Sequence, residues 1–167
     1  MARVWFHPQL HLDAVVKKPD SEKVPRYQKV GDVAWTPIGD AYFFRLAITN
    51  GGNASARDVQ VVLAKVERIT GGKPSQVDRT SMNLKWTHTG NTLRNSLMPN
   101  LPPVFCDFIH ISDPASQVAS GENLDTVAQG DTVLCLDVEG PPPNKANLLE
   151  PGTYRFHLIL VGENASR

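Results

Sequence analysis

Apolar residues in this chain recur at every second position, and that period restricts it to strands. In Ala41–Thr49, one face carries Tyr42, Phe44, Leu46 and Ile48, and the other carries Phe43, Arg45, Ala47 and Thr49. The run ends at Asn50-Gly51-Gly52-Asn53, residues suited to a turn with φ > 0. In the next run, Asp58–Arg68, the apolar phase shifts between Val61 and Val62, which predicts a β-bulge there. Five further segments read as strands: Gln9–Val16, Asn83–His88, Val104–Ile111, Asp131–Val138 and Thr153–Val161. In the fourth of these, Leu134, Leu136 and Val138 alternate with Val133, Cys135 and Asp137.

Seven strands separated by turn signals predict an all-β sandwich or barrel. No segment sustains a helical apolar stripe, and residues 113–130 offer at most one short turn. Residues 17–40, 70–82 and 113–130 read as long connections, each containing proline. The 167 residues fit one domain spanning 1–167, and no internal repeat interrupts it. Hydrophobic residues at 41% are enough for a real core. The thirteen Pro and twelve Gly lie between the apolar runs and mark turns.

Two stretches narrow the fold further. The first is Phe44–Gly52 followed by Ala54, Ala56 and Val59-Gln60-Val61; the second is Leu149–Phe156. Together they resemble the immunoglobulin-like modules of prokaryotic surface and membrane-linked proteins, including the CARDB-type domains. There a strand ends in an Asn-x-Gly turn and Pro-Gly-x-Tyr opens the last hairpin partner. The resemblance implies an immunoglobulin-like Greek-key β-sandwich of about seven strands and brings no functional residues with it. Leu84-Lys85-Trp86 and Cys106-Asp107-Phe108 extend it loosely to soluble domains that follow transmembrane helices in bacterial proteins. Trp5-Phe6-His7-Pro8 would then be a segment just leaving a membrane. The chain is longer than a CARDB-type module, the excess lying in 17–40 and 113–130. Pro151-Gly152 is predicted to form a type II turn, with Tyr154 as either a tyrosine corner or a plain core tyrosine.

The familiar signatures of catalysis are missing. There is no Gly-x-Gly-x-x-Gly, P-loop or Gly-x-Ser-x-Gly sequence. Cys106 and Cys135 are too far apart for Cys-x-x-Cys chemistry, leaving two buried thiols or one inter-strand bridge. His7 and His11, four apart on a strand, stand about 13 Å from each other and cannot share an ion. His110 and His157, on different strands, could meet Asp107 or Asp137, so an enzyme built from His110, His157 and Asp137 is one reading. No Asp-x-Asp-x-Asp loop for Ca²⁺ occurs. Asn53-Ala54-Ser55 and Asn164-Ala165-Ser166 match the glycosylation sequon, with turn formation as the preferred reading.

With a formal net charge of zero, no basic field exists to hold nucleic acid. No stretch approaches the roughly 20 apolar residues of a membrane span, and the amino terminus lacks a signal-peptide core. These features predict a soluble chain, cytoplasmic or membrane-associated. The ends, Met1-Ala2 before an aromatic pair and Gly162–Arg167 after an apolar strand, lead to the expectation of a piece excised from a longer protein, in which a flanking transmembrane segment has room. Trp86 reads as core. Trp35, in Ala34-Trp35-Thr36-Pro37, either seals a core edge or meets a partner. The expected function is a non-catalytic interaction or scaffold domain without a metal or cofactor, binding protein through sheet edges or long loops. The alternative is a carbohydrate-binding sandwich using exposed aromatics such as Trp35.

Overall fold

The computed structural model describes residues 7–14, 16–18, 20–31, 34–77, 81–128, 130–140 and 143–165. The Trp5-Phe6 pair lies outside them. The strands are β1 (Leu10–Ala14), β2 (Ser21–Val30), β3 (Ala34–Asn50), β4 (Ala56–Thr70), β5 (Lys73–Gln76), β6 (Met82–Asn83), β7 (Lys85–Trp86), β8 (Arg94–Leu97), β9 (Val104–Ser112), β10 (Leu134–Leu136), β11 (Leu148–Leu149) and β12 (Thr153–Val161). One short helix, α1 (Pro114–Ala119), stands between β9 and β10.

The strands form two antiparallel sheets, so the molecule is an all-β sandwich. The first sheet runs β1-β3-β9-β10-β11, with β2 also on β3 and β7 also on β9. In the second, β12-β4-β5, strands β6 and β8 also pair with β4. Their inner faces share one core, containing Leu46 and Ile48 of β3, Val59, Val61 and Leu63 of β4, Cys106 of β9, and Trp86. Phe108 of β9 meets Phe156 of β12 edge-on at 5.0 Å, tying the sheets together. All seven expected strands are present; Asn83–His88 is divided into β6 and β7 by a single bridge from Leu84 to Val138.

Two expected connections are strands instead. Residues 21–30 and 34–40 fold as a β-ribbon in which β2 pairs with the first half of β3, from Ser21↔Phe44 to Val30↔Ala34. Both sides of its outer part face solvent, so no apolar alternation announces it. Pro25 fits because its partner Asp40 turns its own N–H and C=O toward Asp113, away from β2. Position 25 thus belongs to a pair without mutual hydrogen bonds, and its backbone nitrogen faces the free edge. The second correction concerns 70–82. Gly71 (φ 57°) and Gly72 (φ 77°) close a two-residue turn between β4 and β5. Left-handed geometry at both central positions suits the twist of a hairpin.

The bulge in β4 lies slightly later than its phase shift predicts: His157 pairs with Lys65 and Leu158 with Leu63, leaving Ala64 as the extra residue. Neither Gly51, Gly52 nor Gly152 adopts positive φ, so the two turn motifs work differently from the expectation. A Cβ on Gly52 would stand 2.4 Å from the His7 carbonyl oxygen, so that glycine permits close approach of the 7–9 backbone. After Pro151-Gly152, the Tyr154 hydroxyl donates to the Glu150 carbonyl at 2.8 Å, the geometry of a tyrosine corner.

A second bulge prepares the candidate site. In the β3–β9 pairing the register slips between Phe44↔Ile109 and Arg45↔Asp107, leaving Phe108 as the extra residue. Beyond it the alternation of β9 is reset, so Ile109 packs toward the main core while His110 and Ser112 point to the opposite face. Residues 113–128 cover that face. Val133, Cys135 and Leu148 form a second, smaller core there with Leu124 and Val127. Gln117 fixes the cover: its Nε2 donates to the Val133 carbonyl (2.7 Å), and Val133 N–H donates to its Oε1 (3.1 Å).

Candidate functional site

Under the cover lies a cluster of ionisable groups drawn from four parts of the chain. His110 and Cys135 are direct register partners on β9 and β10. Asp137 follows two residues after Cys135 and projects on the same side. Glu122 descends from the segment after α1, and Arg26 reaches in from β2 at the base of the ribbon. Phe43, opposite His110 on β3, stacks on the imidazole with centroids 4.9 Å apart.

His110 Nδ1 donates to both oxygens of Asp137, at 3.1 Å each. Its Nε2 lies 3.3 Å from Glu122 Oε2 yet makes no hydrogen bond, although the residue is only 7% exposed. Arg26 grips Glu122 with two guanidinium nitrogens, one pair at 2.9 Å, and donates to Ser112 Oγ at 2.7 Å. Burial opposes the charged imidazolium, but Asp137, Cys135 and Glu122 outweigh it and push His110 up to about 11. Burial likewise opposes the Glu122 carboxylate, and His110 and Arg26 overcome it, holding the group down at about 2. The Cys135 thiol is pushed up by burial, only partly offset by His110.

This arrangement decides what the cluster can do by itself. A fully buried thiol with a raised pKa is a poor nucleophile. An imidazole that already holds its proton cannot accept another as a general base. The four ionised groups, two cationic and two anionic, balance one another.

The sequence-derived trio of His110, His157 and Asp137 does not assemble. His110 and Asp137 meet, but His157 is on β12 in the other sheet, where its Nε2 donates to Glu67 at 2.9 Å. Asp107 serves Arg45 (3.3 Å) and Thr87 (2.7 Å) instead. The cysteines do not bridge: both are free and buried, Cys106 in the main core and Cys135 in the small one. Asn53 and Asn164 accept long-range backbone N–H bonds, from His7 and Arg57 at 2.9 Å each. Sequence reasoning missed Arg26, Cys135 as a site residue, and Glu122. Only the bulge and the cover bring them together.

A separate surface feature is the ribbon itself. Trp35 is 66% exposed and seals no core edge; Trp86, by contrast, is core at 2%. Register places Lys29 opposite Trp35 and Tyr27 opposite Pro37, so these four side chains share one ribbon face. Tyr27 and Pro37 are exposed as well. Compared with known proteins, the chain matches no protein-family model, no curated protein and no solved structure.

Proposed function

We propose that this chain is a non-catalytic, immunoglobulin-like interaction domain that docks onto another protein through the face of the β2–β3 ribbon. The observation that carries the reading is Trp35, exposed beside Tyr27, Pro37 and Lys29 on strands that project past the sheet. Large aromatic side chains lose little conformational freedom on binding and dominate the energetics of protein interfaces. Lys29 beside the indole calls for a carboxylate on the partner. Among the described residues, the face offers no carboxylate or amide beside its rings to bond sugar hydroxyls, which favours protein over carbohydrate. The tyrosine corner at Tyr154 supports the immunoglobulin-like assignment.

The test places a photocrosslinker at Tyr27, on the docking face across from Pro37, captures the partner in the source cell, and titrates the purified partner calorimetrically with the wild-type chain. Trp35→Ala is expected to weaken binding at least about tenfold, as for a central interface aromatic. Its own stability should change by less than about 0.5 kcal/mol, because the ring touches no core. Unaltered affinity in Trp35→Ala overturns the reading. A glycan-array signal that disappears with Trp35→Ala, without protein capture, replaces it with the carbohydrate alternative.

A further inference from the structure

We infer that His110, Cys135 and Glu122 form a binding site for a divalent transition-metal ion of the zinc class, with one coordination position left to water. The ligand atoms of the three residues all lie within 4.8 Å of one another. Imidazole, thiolate and carboxylate are the three ligand types that zinc takes from proteins.

Three further observations point to an ion rather than to packing alone. First, His110 Nε2 is buried and has no hydrogen-bond partner, although a carboxylate oxygen stands 3.3 Å away. Two ligands each about 2.05 Å from a tetrahedral ion are separated by about 3.3 Å. The Nε2–Oε2 spacing, also that of an ion pair, matches such a ligand-to-ligand distance. The Cys135 sulfur, by the same geometry, has to stand about 3.5 Å from each of them.

Second, the other imidazole nitrogen is already held. Nδ1 donates to both Asp137 oxygens, the carboxylate–histidine arrangement that orients a metal-bound ring and fixes its tautomer. Phe43 stacked on the ring leaves it little room to turn. Arg26 in turn fixes Glu122, its Nη2 donating to Oε1 at 2.9 Å and its Nη1 to Oε2, which also receives the Ser112 hydroxyl at 3.4 Å.

Third, the charges close. With a divalent ion in place, its two charges and that of Arg26 match the three negative charges of Glu122, Asp137 and the Cys135 thiolate, so the loaded site buries no uncompensated charge. Beside the three ligands lies a cleft of 250 Å³ whose walls include Ser120, Lys145 and Asn147. It admits the water that completes four-coordination, the open pattern of sites with three protein ligands.

The experiment titrates Co²⁺, a spectroscopic stand-in for zinc, into the reduced, metal-stripped full chain. Expected is one equivalent bound, with the visible bands of tetrahedral cobalt and a thiolate-to-cobalt charge-transfer band. That band should vanish in Cys135→Ser and persist in Cys106→Ser. Zinc affinity, measured by chelator competition, should fall about a hundredfold or more in Cys135→Ser, and about 10- to 100-fold in Asp137→Asn, which removes only an orienting partner. Absence of the charge-transfer band, or its survival in Cys135→Ser, overturns the assignment. If Cys135→Ser does not fold, X-ray absorption of the zinc-loaded wild-type chain decides. One sulfur with nitrogen and oxygen neighbours sustains the site, and a shell without sulfur refutes it.

Discussion

Gly52 occupies a position where only a hydrogen atom fits, because the carbonyl of His7 and the amide of Gln9 lie 2.4 and 2.5 Å from where a Cβ would be. Gly52→Ala must push the 7–9 backbone away from Asn50 and Asn53, whose side chains accept its N–H groups. The expected cost is about 2 kcal/mol, read as a lower urea midpoint. The sequence locates this turn correctly but for the wrong reason, since close approach of two backbones leaves no local mark to separate it from a left-handed dihedral. Glu67 makes a second prediction at this scale. Its carboxylate receives Lys65 Nζ at 2.5 Å and His157 Nε2 at 2.9 Å, with Arg155 at 3.8 Å. The hydrogen bond from Lys65, then that from His157, holds it at about 2, below the ordinary 4.5. A lowered folded-state pKa means stability that is fully present above about 4.5 and lost as pH falls toward about 2. Melting temperature should fall across that window, and Glu67→Gln should flatten part of the fall, leaving the share that belongs to Glu122.

Strands whose inner face meets the core can be read from their alternation, as β4, β9 and β12 are. The first half of β3 and all of β2 cannot, because a two-stranded ribbon exposed on both sides places no apolar demand on either. Proline at 25 and 37 reinforces the wrong reading, although at 25 its nitrogen simply faces outward. Short α1 is a different case: its place in the fold depends on one side chain. Gln117 imitates a neighbouring strand, satisfying both backbone groups of Val133 from a buried position. Gln117→Ala leaves a buried N–H and C=O without partners, at a cost of about 2–4 kcal/mol. Hydrogen exchange should then show faster opening across 114–133 while β4 and β12 remain protected.

The molecule carries two cores of unequal size, one between the sheets and one beneath the 113–128 cover. The thiols report on them separately: burial raises the pKa of both Cys106 and Cys135 and shields both from reagents. Alkylation followed by peptide mapping should modify Cys135 first, through opening of the cover, and Cys106 only on global unfolding. Equal rates would mean that the cover and sandwich open together. This division also explains why the fold class is legible in the sequence while the metal-binding cluster is not. Periodicity reports which side of a strand is apolar. It cannot report that a bulge at Phe108 turns His110 outward, or that Glu122 from a polar connection and Arg26 from an unrecognised strand will meet it there.

The orientation of Pro25 has a consequence for how such a chain survives at high concentration. An exposed ribbon is a template on which other chains can add strands, and long β2 would otherwise present an uninterrupted row of free donors. Pro25 removes one donor from the middle of that row, and Lys29 places positive charge further along it, while Lys23 is paired with Asp40 at 2.6 Å. The ribbon can therefore display Trp35 and Tyr27 on its face while its edge resists fibrous polymerisation.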